Sequence, residues 1–434
     1  MVHTGTRRSS PVRVVLASSM GNFVEWFDFT LYGFSAAVIA ATFFPAGNAQ
    51  AALLSTFAIY GVAFVARPLG AFYFGRLGDR RGRRTALSAS VLLMGAATTV
   101  MGLLPGWETL GTAAPVLLLV CRLLQGFSAG GEYTGAITFG AEHAPAGRRA
   151  FWLGLVGSST MLGSAAATLT VVIFQAVAGP EFAAGGWRWP FLVGGLLSLV
   201  ALFLRLGVDE TPVFREVQAT RADDRAGRLG PLVRGHWRTL LVLCAFFAVL
   251  GLVTHSFLGY MPTYLGKAAG ISSSTTLTII TGLTLFAAVA GPVLGLQADR
   301  FGRRPILRTG AVTAVVATVP VYLLIGTGSL VAVIAGLFVL LLVVSMLGAG
   351  AMAVMEMLPA DVRFSGMALP YNFSYAVFGG TAPLVGQLLV DGTGSLLAPA
   401  FYATVVALLG LPVLWRIPET RHTDMRTGTQ LGRT

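Results

Sequence analysis

Apolar stretches long enough to cross a lipid bilayer recur along this chain from one end to the other, and no other feature narrows its fold so far. A helix needs about 20 mostly apolar residues to span the hydrocarbon core. Twelve stretches meet that length, near 14–44, 51–76, 84–104, 113–143, 150–178, 188–207, 238–266, 275–297, 305–326, 330–357, 365–390 and 396–416. Of the 434 residues only 11% are charged and 55% are hydrophobic, whereas soluble domains are about 25% charged. A soluble enzyme with one large core would not repeat such runs. The pattern predicts an all-α integral membrane protein with twelve transmembrane helices, since a backbone in lipid must satisfy its own polar groups.

A net charge of +12 raises the question of nucleic acid, but its distribution points elsewhere. Arg76, Arg80, Arg81, Arg83 and Arg84 follow span two, Arg148 and Arg149 follow span four, and Arg300, Arg303, Arg304 and Arg308 follow span eight. Arg363 follows span ten, and Arg215, Arg221, Arg225, Arg228, Arg234 and Arg238 fill the central loop. The alternate loops hold only Arg188 and Lys267. This is the positive-inside bias of a membrane topology. With an even number of spans it predicts a multi-pass protein of the inner or plasma membrane, with both termini cytoplasmic and no nucleic-acid partner.

The basic start (Arg7, Arg8, Arg13) suggests a signal peptide, yet Glu25 and Asp28 interrupt the apolar region such a segment requires. No small-residue cleavage site stands out, so the first span is read as retained. Cys121 and Cys244 fall inside spans and give neither a disulfide framework nor metal-ligand spacing. The five histidines form no cluster. His255, in span seven, reads either as a satisfied polar group in a bundle or as a proton relay.

Three marks recur in one order. GRLGDRRGRR (75–84) after span two returns as GLQADRFGRR (295–304) after span eight, with Asp79 and Asp299 220 residues apart. EHAPAGRR after span four returns as EMLPADVR after span ten, separating Glu142 and Glu356 by 214. DETP after span six returns as PETR after span twelve, and Glu210 and Glu419 lie 209 apart. A repeat at near-constant offset means a duplicated unit. The expected organisation is a six-helix bundle over 1–207, a polar cytoplasmic linker over 208–237, and a second pseudo-symmetric bundle with a short tail over 238–434. Two such halves place a substrate site at their interface near mid-membrane, reached alternately from each side.

These residues resemble the major facilitator superfamily of secondary transporters, and GRLGDRRGRR is similar to its loop 2–3 signature. Within it, GNFVEWFDFTLYGF, RPLGAFYFGRLGDRRGRR, RLLQGFSAGGEYTGA, WRWPF, DETPVF and MPTYL resemble the metabolite:proton symporters. EYTGA, MPTYL and APAFY (398–402) look most like the proline/betaine branch. The resemblance covers nearly the whole chain. It implies the major facilitator fold and a proton-coupled symporter importing a small zwitterion such as proline or glycine betaine. It also implies no cofactor beyond the proton as coupling ion, and the chain is expected to work as a monomer with substrate, protons and the bilayer as its partners. One departure stands out: an osmosensing member of that branch carries a long C-terminal coiled coil, whereas this chain ends about 18 residues past span twelve.

Five charged residues fall within spans away from the cytoplasmic ends: Glu25, Asp28, Arg67, Arg122 and Glu132. Each costs at least about 2.5–3.5 kcal/mol at a helix centre, so each is expected to face a partner or a cavity. Glu25 and Asp28 are three apart on one helix face, and proximity and burial both favour the protonated form of a carboxyl. They lead the proton-coupling candidates, with Glu132 third; the bland alternative for all three is a structural pair with Arg67 or Arg122. Arg67, before Pro68, reads as the structural ion pair. Arg122 reads equally as a partner for an acid or for a substrate carboxylate. Ring faces suit a zwitterion's ammonium, at about 0.5–2 kcal/mol each. Trp26, Phe29, Tyr32, Tyr133, Tyr260, Tyr264, Tyr371 and Tyr375 lie on spans one, four, seven and eleven, which by the resemblance line the central cavity.

For the gates, Asp79 with Arg83 or Arg84 is expected to face the positive N-terminus of span eleven, a neighbour that the resemblance supplies. Glu142 with Arg148 or Arg149, and Glu356 with Arg363, are expected to form equivalent latches, and Asp299 and Arg303 of the second copy join the gating candidates. GPVLG (291–295) and GLVGSSTMLG (154–163) predict close helix packing through small residues. Two rivals within transport remain open: an organic-acid symporter of the 2-oxoglutarate, citrate or shikimate type, and an efflux antiporter. No nucleophile constellation, metal spacing or phosphate loop points to an enzyme.

Overall fold

Lipid offers a backbone no hydrogen-bond partners, and the apolar runs close on themselves as helices. The computed structural model describes residues 11–206 and 229–424 except 82, 131 and 146, together with 427 and 428. Side chains are described from Ser19 onward, apart from those at 79, 80, 83, 133, 134, 139, 140, 142, 143, 229–231, 360 and 361. The side chains of Asp79, Arg83, Tyr133 and Glu142, and most of the linker, therefore lie outside the described residues.

Twelve spanning elements follow one another among the described residues. In the first half they are α1 (Pro11–Phe34 continued by Ala36–Phe43), α2 (Ala49–Arg81), α3 (Arg83–Leu103), α4 (Ala113–Ala129 continued by Glu132–His143), α5 (Arg149–Ala178) and α6 (Arg188–Leu206). The second half has α7 (Leu229–His255, then Ser256–Tyr260 and Met261–Ala268), α8 (Ser273–Phe301), α9 (Arg303–Gly326) and α10 (Leu330–Glu356). It ends with α11 (Ala360–Ser374, Tyr375–Gly379 and Ala382–Thr393) and α12 (Ala398–Trp415). Ten are long and apolar enough to cross a membrane unaided; α1 is a pair bent by 65°, and α4 opens as a 17-residue apolar helix. Ser256–Tyr260 and Tyr375–Gly379 are π-helical turns inside α7 and α11. Such turns are frequent at functional sites.

Packing follows the duplicated order. In the first half α1 lies on α5, α2 on α4 and α3 on α6; in the second α7 lies on α11, α8 on α10, and α9 on both α10 and α12. The halves meet most extensively along α5 and α8. Glycine makes that contact possible, as the sequence predicts. A methyl added to Gly154 would lie 2.8 Å from Gly291 O and from Pro292 Cα, and one added to Gly295 would collide with Ala150 O. Ser158 Oγ then donates to Ala288 O at 2.5 Å, and Thr281 Oγ1 to Thr168 Oγ1 at 2.6 Å. At other crossings between the halves Gly33 faces Gly259 and Gly61 faces Gly380, with 3.2 and 3.0 Å left for an added carbon.

The face that carries the arginines is tied both across the halves and within them. Asp299 accepts from Ala150 N at 3.1 Å and Phe151 N at 2.9 Å, so an acid of α8 caps the N-terminus of α5 from the opposite half. This is the counterpart in the second repeat of the contact expected of Asp79. Asp299 also pairs with Arg303 at 2.5 Å. Glu356 corrects its expected pair with Arg363, while the expected pair of Glu142 with Arg148 or Arg149 lies outside the described side chains. Its oxygens receive Arg303 Nε at 3.3 Å and Thr420 Oγ1 at 2.7 Å, with Arg149 of the first half 3.6 Å away. Arg149 thus crosses to Glu356, and Arg363 Nη2 donates to Leu358 O at 2.9 Å. Arg84 donates to Leu206 O, which fastens α3 to α6. Glu419 of the PETR repeat accepts from Arg303 N at 2.9 Å and Arg304 N at 3.0 Å, capping α9. Burial alone would raise its pKa; the amides of Arg303, Arg304, Arg421 and Thr420 outweigh that and hold it below the ordinary value.

Candidate functional site

The apolar wall of α1 is interrupted by Glu25 and Asp28, both buried, and the two acids answer to different helices. Arg67 Nη2 of α2 lies 2.8 Å from Glu25 Oε1. Distance makes this an ion pair, yet neither carboxyl oxygen accepts a hydrogen bond in favourable geometry. Arg67 also stands over the rings of Phe29 and Phe64, at 4.6 and 4.4 Å, and its Nη1 donates across the halves to Tyr371 Oη at 3.3 Å. Asp28 turns to α3 and α4. Thr98 Oγ1 donates to one oxygen at 2.7 Å and Gln125 Nε2 to the other. The expected mutual pair of acids is therefore resolved into two separately partnered carboxyls: residues three apart share a helix face, but their side chains lean toward different neighbours.

Gln125 connects Asp28 to the second buried arginine, since its Oε1 accepts from Arg122 Nη1 at 2.9 Å. The Arg122 guanidinium sits over Phe29, Tyr32 and Tyr60, at 4.7, 4.2 and 5.3 Å from the ring centroids. Ring faces worth about 2 kcal/mol when desolvated hold the charge. They do not satisfy its N–H groups: Arg122 Nε and Nη2 have no hydrogen-bond partner among the described residues. A buried donor left unmade costs about 1–3 kcal/mol.

Glu132, the third expected proton carrier, is engaged elsewhere. Arg205 of α6 donates to its Oε1 and Ser90 of α3 donates to its Oε2 at 3.2 Å, while Arg205 Nη1 donates to Leu87 O at 2.9 Å. This buried pair fastens three helices of the first half. Arg205 escapes a reading of the sequence because it stands where span six ends, among arginines that set topology.

From the second half, α7 and α11 close over the same place. His255 lies just before the π turn of α7, its Nδ1 2.7 Å from Tyr60 Oη of α2. Trp26 stacks on the imidazole at 5.4 Å, and Tyr375 meets it edge-on at 5.4 Å. Tyr371 and Tyr375 pack together at 4.2 Å, and Asn372 Nδ2 donates to Gly130 O of α4 at 3.3 Å. Tyr260 and Tyr264 depart from the expected wall. Tyr260 packs against Phe57 and Tyr264, and the Tyr264 hydroxyl donates to Leu396 O at 2.8 Å. Their rings fill the core of the α7 end rather than surround the arginines.

Tyr60, Phe64, Thr98 and Gln125 are members that the sequence reading missed. Tyr60, Phe64 and Arg67 recur at i, i+4 and i+7, so helical spacing back from Arg67 would have found the two rings, whereas Thr98 and Gln125 carry no such signal.

Twelve helices in two six-helix bundles, with buried charge gathered where the bundles meet, define a membrane transporter. Matches to known proteins agree. The family model described as Major Facilitator Superfamily matches residues 18–363 and again 252–431. The proline/betaine transporter of Escherichia coli K12 is 34% identical over 427 residues, covering 96% of this chain and 85% of that protein. The glycine betaine/proline/ectoine/pipecolic acid transporter OusA of Dickeya dadantii matches with the same identity and coverage. In fold, the xylose transporter XylE from E. coli, in a partially occluded inward open conformation, superposes with a TM-score of 0.74 at 15% identity, covering 95% of this chain and all of that one. The chain belongs to the major facilitator superfamily, and the two relatives named above are transporters of the proline/betaine kind.

Proposed function

We propose that this protein is a proton-coupled symporter importing a small zwitterion of the proline or glycine betaine kind by alternating access. The observation that carries the reading is Arg122. It is a fully buried guanidinium, ringed by aromatic faces, with two nitrogens, Nε and Nη2, whose N–H groups find no acceptor among the described residues. A solute carboxylate completes it, and the nearby rings of Phe29, Tyr32, Tyr371 and Tyr375 suit the solute's cationic end. Glu25 supplies the proton chemistry. Among the described residues its oxygens lack hydrogen-bond donors and its ionic contact is Arg67, so protonating it releases that arginine. Asp28, satisfied by Thr98 and Gln125, relays the state of the acid side to Arg122. The names of the curated relatives support the same substrate class.

In this reading the bundles of 1–207 and 238–434 rock about the α5–α8 seam, with the basic face and both termini in the cytoplasm. Uptake into proteoliposomes under an inward proton gradient tests it, with proline, betaine, ectoine, 2-oxoglutarate, citrate and shikimate as the panel. Concentrative uptake of a zwitterion supports the proposal. Uptake confined to the organic acids, or efflux under the same gradient, overturns it.

A further inference from the structure

Rings from α1, α2 and α11 surround the imidazole of His255. Trp26 of α1 covers one face, Phe64 approaches edge-on at 4.9 Å, and Tyr375 does the same at 5.4 Å. On the α11 side only a glycine leaves room, since a methyl on Gly379 would stand 2.9 Å from His255 Cδ2. Nδ1 is taken by the Tyr60 hydroxyl at 2.7 Å. The ring is 1% exposed, yet Nε2 has no partner among the described residues.

A neutral imidazole offers one donor and one acceptor. When the Tyr60 hydroxyl donates to Nδ1, the proton resides on Nε2, which becomes a buried donor lacking an acceptor. Beside it, Trp26 Nε1 is a second buried donor without one. Tyr60 reaches both sides of the site: its hydroxyl holds His255 of the second half, and its ring lies under Arg122 of the first. Two unmatched donors, one from each half, thus border one tyrosine, and they call for the same thing as Trp26 Nε1: an oxygen that accepts.

We propose that His255 is a specificity-determining residue, donating through Nε2 to the carboxylate of the transported solute, whose other oxygen is held by Arg122. The carboxylate then bridges the halves, and Tyr60 fixes the tautomer that allows it. This rests on the zwitterion reading above and extends it to the second half. The bridge explains why a solute favours closure: donors from both halves meet on one carboxylate.

The test uses the full chain in proteoliposomes, with proline as the probe. His255→Asn keeps an acceptor where Nδ1 meets Tyr60 but removes the Nε2 donor, whereas His255→Gln places an amide N–H near the Nε2 position. Asn is expected to raise KM for proline about tenfold, equivalent to about 1.4 kcal/mol, with Vmax changed far less. Gln is expected to recover most of the loss. The competing effect of choline, which lacks a carboxylate, should be the same in wild type and His255→Asn. Equal KM in wild type and His255→Asn, or a loss of Vmax alone that Gln does not repair, overturns the role of His255. If wild type accumulates no zwitterion at all, the functional reading fails first, and the two failures are told apart by that control.

Discussion

Substituting Asp299 by Asn probes the seam between the halves most directly. The carboxylate accepts two backbone amides at the N-terminus of α5, at 3.1 and 2.9 Å. Hydrogen bonds to a charged group contribute about 1.5–3 kcal/mol each, and a charge at a helix N-terminus adds about 0.3–1 kcal/mol. Asparagine keeps one oxygen but turns an NH2 group toward the other amide, so roughly one charged bond and the dipole term are lost. Arg303 loses a charge partner too, although Glu356 still holds it. The net weakening is about 2 kcal/mol in the state where α5 and α8 touch at this end. That shifts an opening equilibrium roughly 30-fold. A cysteine at Ser158, whose hydroxyl now bonds Ala288 O across the seam, reports it in a background with Cys121 and Cys244 as serine. The maleimide labelling rate of detergent-solubilised protein is expected to rise by at least tenfold in Asp299→Asn over its parent. Equal rates would refute the view that this cap holds the halves together.

Glu25→Gln is expected to abolish pH-driven accumulation while leaving substrate counterflow, whereas full concentrative uptake by this variant would remove Glu25 from the proton path. Glu132→Gln strips the buried Arg205 of its charge partner, which costs about 3–5 kcal/mol; its thermal unfolding temperature should fall sharply, and an unchanged value would contradict the structural role. Gly295→Ala puts a methyl against Ala150 O and is expected to hold the seam apart, raising labelling at Ser158→Cys as Asp299→Asn does while transport is lost. Because Glu419 is held below its ordinary pKa by amides, its cap on α9 is fully present at neutral pH and is lost as pH falls through its lowered value. Hydrogen exchange at Arg303 and Arg304 should therefore be slow in wild type and faster in Glu419→Gln at neutral pH, and matching rates would dismiss the cap.

The spans, the duplication and the small-residue seam were legible because each is written in local pattern: run length, repeated motif, glycine spacing. Asp299 and Glu419 were found through their repeats, although what they cap was not. The repeats misled where contacts run between halves. Arg149 and Glu356 belong to different copies, and a motif read within its own copy suggests a partner nearby in sequence. Neutral polar residues hid best. Thr98 and Gln125 satisfy Asp28, yet nothing about a threonine or glutamine in a helix announces a carboxylate across the bundle. Glu25 and Asp28 show the complementary limit, since periodicity places two residues on a face without saying where each side chain leans.

The π turns at Ser256–Tyr260 and Tyr375–Gly379 have a consequence for the geometry of the second half. Each stores one residue more than an α-helical turn needs. Relaxing either to α would swing the helix beyond it by about 100° and displace it by about 1.5 Å, with the other end of the helix left in place. At these two positions sequence length is uncoupled from helix face. A single-residue deletion there should be absorbed, where the same deletion elsewhere in α7 or α11 would turn a lipid-facing surface toward the site.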